Sequence, residues 1–151
     1  VIGAGLAGCE AAWQIARRDI LVTLIEMRPH KYSPAHQSDG FAELVCSNSL
    51  KGEQLTGASG LLKAEMRAFD SLILRAAEAA RVPAGGALAV DRDVFSEYIT
   101  RVLTDHPLCE VRREAADSIP EGRAIIATGP LTDEALSRAI QVLTGAEGLH
   151  C

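Results

Sequence analysis

Aromatic residues are scarce in this 151-residue chain, where three Phe, two Tyr and one Trp make up only 4%. So thin a set argues against a platform on which nucleic-acid bases stack. A basic excess is also missing: 15 Lys and Arg face 20 Asp and Glu, for a formal net charge of −5. That balance disfavours broad contact with a phosphate backbone through this chain alone. No apolar run approaches the roughly 20 residues of a membrane span, so no membrane partner is expected. Cys9, Cys46, Cys109 and Cys151 include no Cys-x-x-Cys pair. Reduced thiols in a cytoplasmic protein are therefore expected, not a disulfide framework or a zinc site. His30, His36 and Cys46 follow no common ligand spacing, and no metal site is expected. Internal repeats, linkers and low-complexity tracts are absent.

What remains is ordinary for a globular chain, at 48% hydrophobic and 23% charged residues. The length allows one domain with a real core but is small for a complete two-substrate enzyme. The sequence opens at Val1 without an initiator Met, and no signal peptide ahead of the fingerprint is expected. Only Val1 and Ile2 stand where a central strand of about five or six residues is expected. The chain reads as a fragment with both ends cut.

Its opening carries the strongest signal. Val1-Ile2 reads as the end of a strand, and Gly3, Gly5 and Gly8 then fit Gly-x-Gly-x-x-Gly before an apolar helix pattern. In a dinucleotide site these glycines serve a tight turn, close backbone approach to a pyrophosphate, and helix–strand packing. The intervening Ala4, Leu6 and Ala7 offer backbone N–H groups at the helix start, where anions are favoured. Residues 21–26 read as a second buried strand ending in Glu26, 18 residues past Gly8. There an acid accepts hydrogen bonds from a ribose.

The first helix runs about three turns, to Arg17-Arg18, which suit the negative end of its dipole. Residues 27–43, rich in Pro, His, Ser and Asp, read as a long functional loop. Residues 61–80 carry apolar positions at helical spacing and are expected to form one helix of about five turns packed on the core. A turn at 83–86, a strand at 87–90 and a helix at 93–104 follow. Residues 109–112 and 123–127 are expected as two more strands. Thr132 or Asp133 caps a last helix that Gly145 ends. This alternation predicts an α/β fold with a mostly parallel sheet under helical layers.

Three places can carry chemistry. Residues 124–129, Ala-Ile-Ile-Ala-Thr-Gly, resemble the strand ending in Ala-Thr-Gly of two-dinucleotide-binding flavoproteins, which favours FAD over NAD and adds Thr128 and Gly129 to the candidate site. Arg28, after Glu26 and Met27, admits three readings: a group lying along adenine or ribose, a contact to an NADP 2′-phosphate, or a solvated loop charge. Cys46 admits two: a thiolate activated by a nearby cation such as Lys51, or a buried inert cysteine. Cys9 and Cys109 read as core residues.

Several longer stretches resemble the N-terminal part of the folate- and FAD-dependent tRNA (uracil-5-)-methyltransferases. They are Val1 to Gly8, Glu26-Met27-Arg28-Pro29, Pro34-Ala35-His36 and the run from Phe41 to Leu50. Gly60-Leu61-Leu62-Lys63, the run from Val82 to Arg92, and Ala127-Thr128-Gly129-Pro130-Leu131-Thr132 complete them. The resemblance runs to about Gly145, with the wobble-uridine-modifying flavoproteins as the nearest confusable group. It implies an incomplete Rossmann-like FAD-binding fold of the two-dinucleotide-binding flavoprotein type. Residues 1–151 would be the N-terminal part of a discontinuous FAD-binding domain, with no second complete domain. It further implies methylation of the T-loop uridine of tRNA at carbon 5, with methylenetetrahydrofolate as carbon donor and FAD, reduced by NAD(P)H, as reductant. Gly3, Ala4, Gly5, Leu6, Ala7, Gly8, Glu26, Met27, Arg28, Thr128 and Gly129 would hold the cofactor, and Cys46 matches a family cysteine implicated in catalysis. The tRNA would be met mainly by a C-terminal part beyond this chain, which alone is expected to be inactive. Two departures stand out: Cys9 replaces a small Ser-like residue, and residues 147–151 leave the family pattern. Other functions compatible with the same fingerprint are an FAD- or NAD-dependent oxidoreductase of a small metabolite and a nucleotide-binding module without turnover.

Overall fold

The computed structural model describes residues 1–145. The departing residues 147–151, with Cys151, lie outside the described residues.

Val1-Ile2 enters the molecule as an extended segment between two others. On one side Ile25 N donates to Val1 O (2.9 Å) and Gly3 N to Ile25 O (2.8 Å); on the other Ile2 N donates to Ile125 O (2.9 Å) and Ala127 N to Ile2 O (2.8 Å). Strand β1, Val22–Glu26, pairs in parallel on its far edge with β5, Cys109–Arg113, in a register from Val22 opposite Cys109 to Glu26 opposite Arg113. Numbered along the chain, the four parallel segments lie in the order 3-2-1-4. This is the order of a doubly wound dinucleotide-binding sheet. The expected strand at 123–127 is realised only as a bridge of Ile126 to Ile2.

Helix α1, Leu6–Ala16, follows the first turn and buries Gly8, Cys9, Ala12 and Ala16 against the sheet. The expected helix over residues 61–80 is two helices, α2 (Ala58–Ala68) and α3 (Leu72–Ala79). Asp70 takes φ +57°, which stops α2, and the Ser71 hydroxyl accepts from Leu74 N to start α3 (3.3 Å). Helix α1 staples the break. Trp13 Nε1 donates to Asp70 O (2.9 Å), Arg17 donates to Phe69 O (2.7 Å), and Glu10 takes hydrogen bonds from Ser71 Oγ and Ile73 N. Helix α4, Arg92–Thr104, starts where the Asp91 carboxylate accepts from Asp93 N and Val94 N. Helix α5, Glu134–Thr144, is capped by Asp133 and closed by Gly145 at φ +67°, as the sequence indicates.

The connection from β1 to β5 carries a second sheet that the sequence reading does not anticipate. Strands β2 (Ser49–Gly52), β3 (Arg81–Val82) and β4 (Ala87–Val90) pair antiparallel in the order β2-β4-β3. The fold is therefore α/β, with its parallel part confined to the four segments around Val1-Ile2. The core lies between this sheet and helices α1, α3 and α4, where Leu24, Leu72, Leu88, Phe95, Ile99 and Leu103 are fully buried. Each such side chain contributes on the order of 1.5–3 kcal/mol.

Candidate functional site

A cavity of about 510 Å³ opens at the carboxyl ends of the parallel segments, where the strand order reverses between Val1-Ile2 and residues 125–127. Such a reversal is where open α/β sheets bind ligands. Of the eleven candidate cofactor residues, Gly3, Gly5, Leu6, Ala7, Glu26, Met27, Arg28, Thr128 and Gly129 line it. Ala4 and Gly8 stand behind the wall.

The three fingerprint glycines answer to different constraints. Gly3 takes φ +95°, and a Cβ there would sit 2.8 Å from Ala127 O. At Gly8 a Cβ would lie 1.7 Å from Gly3 O, so this glycine lets helix and turn interlock. Gly5 is different. Its φ of −75° suits any residue, and a Cβ would meet nothing within 4 Å. Nothing among the described residues requires glycine at this position, which faces the cavity. No side chain caps the start of α1 either, so the unpaired N–H groups of its first turn are available to an anion.

Glu26 closes the opposite wall. One of its oxygens accepts from Ala4 N (2.8 Å), and the other from Arg28 N (3.1 Å) and Arg28 Nε (2.8 Å). Burial pushes its pKa up, but the hydrogen bonds and charge of Arg28, with the Ala4 amide, outweigh this and hold it below the usual carboxylate value. A carboxylate has about four acceptor positions, and the oxygen facing Ala4 N keeps one unused. Arg28 is 2% exposed, which corrects the reading of a solvated loop charge. Its guanidinium also donates to Ser38 O (3.1 Å) and the Glu43 carboxylate (3.0 Å). Arg113 donates to Arg28 O (3.1 Å) and lies over the Phe41 ring, 4.2 Å from its centroid.

Cys46 is exposed and free, which excludes the buried-cysteine reading. It does not line the cavity, although its neighbour Val45 does. Cys9 and Cys109 are core residues as expected, and burial raises the pKa of both thiols. Cys9 Sγ donates to Ala4 O (3.3 Å), directly behind the fingerprint turn. Among the described residues no group of three His, Cys, Asp or Glu side chains could hold a metal ion. No helix there is long and apolar enough to cross a membrane. Ser33, His36, Glu43 and Asp133 also line the cavity, where the sequence assigns them no cofactor role. Pro34-Ala35-His36 and the Glu43 run lay within the stretches that carry the resemblance, but only the folded loop turns them to one side.

The sequence model of the family described as glucose inhibited division protein A matches residues 1–148. The chain is 62% identical over 150 residues to the methylenetetrahydrofolate–tRNA-(uracil-5-)-methyltransferase TrmFO of Staphylococcus carnosus, covering 99% of this chain and 34% of that protein. The protein of the same name from Exiguobacterium sibiricum is 59% identical over 150 residues, with 99% and 35% covered. That of Desulfitobacterium hafniense is 62% identical over 150 residues, with 99% and 34% covered. The chain thus spans about a third of the length of the curated relatives it matches.

Proposed function

The chain belongs to the glucose inhibited division protein A family, and from that premise we propose that it is the N-terminal, dinucleotide-binding part of a methylenetetrahydrofolate-dependent tRNA (uracil-5-)-methyltransferase. In this reading residues 1–151 are one part of a discontinuous FAD-binding domain. The observation that carries it is Gly5, a glycine the fold does not need, beside an uncapped helix start at the reversal of strand order.

The residues present fit FAD. Backbone N–H groups of Leu6 and Ala7 suit the pyrophosphate, and the Gly5 position leaves room for it. The unused acceptor of Glu26 suits an adenosine ribose hydroxyl, with Met27 and Arg28 beside it and Thr128 and Gly129 on the far wall. When bound, FAD would supply reducing electrons, with NAD(P)H as their source. Arg28, bound to Glu26 and Glu43, fixes the loop that closes this wall. Cys46 is the catalytic residue of this segment. Carbon 5 of uracil is a weak nucleophile until a group adds at carbon 6, and an accessible thiolate can serve there as nucleophile or base, or can guard the flavin. The tRNA is met mainly by sequence beyond these residues, in the cytoplasm.

The test is methyl transfer by the full-length protein. With labelled methylenetetrahydrofolate, FAD, NAD(P)H and an unmodified tRNA transcript, label is expected in 5-methyluridine of the T-loop. Flavin reduction without any dependence on folate or tRNA would instead mark an oxidoreductase of a small metabolite.

A further inference from the structure

The loop over residues 27–43 turns one histidine toward the cavity in a fixed pose. Ser33 and His36 both line the cavity, and Ser33 Oγ lies 2.6 Å from His36 Nδ1. Ser33 is 8% exposed, and its hydroxyl oxygen accepts from Ala35 N (3.3 Å) while His36 N donates to Ser33 O (3.3 Å). Just beyond His36, Gln37 N and Ser38 N donate to the Glu43 carboxylate, which also holds Arg28. The backbone is thus tied on both sides of the imidazole. Taking the Ser33 hydroxyl as the donor to Nδ1 assigns the ring proton to Nε2. Nε2 carries no hydrogen bond among the described residues. Groups held this way bind without further ordering cost.

We propose that His36 contacts the ligand of this cavity, donating from Nε2 to an oxygen of the sugar–phosphate of a bound dinucleotide, with Ser33 as its positioning residue. The inference rests on the dinucleotide reading of the cavity. Its acceptor oxygen belongs either to a phosphate or to a ribose.

The experiment strips the full-length protein of flavin and titrates it with FAD, ADP and adenosine while following unfolding temperature. His36→Ala is expected to weaken FAD about three- to tenfold, the scale of one hydrogen bond, at an unchanged unfolding temperature. His36→Gln, whose amide nitrogen can occupy the place of Nε2, is expected to recover most of that loss. Ser33→Ala should weaken FAD on its own but add nothing in the His36→Ala background. A loss seen with ADP but not adenosine identifies a phosphate oxygen, and a loss with both identifies a ribose oxygen. Unchanged FAD affinity in His36→Ala overturns the inference, as does a loss that His36→Gln fails to recover. Gly5→Val separates this failure from that of the underlying reading. If Gly5→Val blocks FAD while His36→Ala binds normally, only the His36 contact is wrong. If Gly5→Val also binds FAD normally, the cavity is not the dinucleotide site.

Discussion

Replacing Gly5 by Val separates a ligand-binding glycine from a structural one. Gly5 sits at φ −75° and ψ −173°, where Val is unstrained, and its Cβ would meet no atom of the described residues within 4 Å. The structural cost is the weaker capping preference of Val, about 1 kcal/mol. It is offset by the roughly 0.4–1 kcal/mol that a residue less free than Gly removes from the unfolded state. Net stability should change by less than about 1 kcal/mol, or about 2–4 °C in unfolding temperature for a domain of this size. The side chain would project into the cavity beside Leu6 and Ala7, where the pyrophosphate is expected. FAD affinity in the full-length protein should fall at least about 100-fold, which is about 2.8 kcal/mol. Gly8→Ala is the matched control. Its Cβ would fall 1.7 Å from Gly3 O, a backbone atom that cannot swing away, so this variant should lose the fold itself. Flavin fluorescence quenching and thermal unfolding, run on both variants, decide the matter. Wild-type FAD affinity in Gly5→Val would show that Gly5 does not face the pyrophosphate, and unfolding of Gly5→Val alongside Gly8→Ala would show that the fold needs this glycine.

Four other outcomes follow from the structure. Glu26→Gln breaks the buried pair with Arg28 and leaves Glu43 as that guanidinium's only carboxylate, so urea denaturation should show a loss of about 3 kcal/mol. Glu53, bound by Arg81 and Arg67, has its pKa lowered from 4.5 to about 2. A depressed carboxylate adds stability that is complete above its unfolded value and lost as pH falls through the folded one. The acid limb of the stability curve between about pH 4.5 and 2 should therefore flatten in Glu53→Gln, as measured by denaturation at stepped pH. Cys46, the exposed thiol, should alkylate with iodoacetamide before Cys9 and Cys109 in native protein, as read by peptide mass spectrometry. Cys46→Ala should keep stability within about 0.5 kcal/mol and keep FAD, yet lose most methyl transfer in the full-length protein; retained transfer would remove its catalytic role.

Much of the fold is legible because its signals are local. Gly3, Gly5 and Gly8 mark the first turn, Asp133 sits at the start of the helix it caps, and Gly145 ends α5. The misreadings arise where tertiary contacts decide. Apolar spacing runs unbroken from 61 to 80, yet Trp13 and Arg17 capture the carbonyls of Asp70 and Phe69 and split the helix. Strands β2 and β3 have no strong pattern of their own and exist through their pairing with β4. At the site, the glycines and Glu26 follow from spacing alone. Arg28 does not, because a charge after a strand looks solvated until Ser38 and Glu43, ten and fifteen residues on, fold over it. The Ser33–His36 pair is hidden for the same reason: its meaning depends on a cavity wall formed by distant segments.

The most direct measurement is a crystal structure of the full-length protein grown with FAD. The pyrophosphate of FAD is expected beside Gly5 and the start of α1, with its adenosine ribose within hydrogen-bond distance of Glu26. Flavin bound elsewhere, with Gly5 open to solvent and Glu26 engaged only by Ala4 and Arg28, would contradict it.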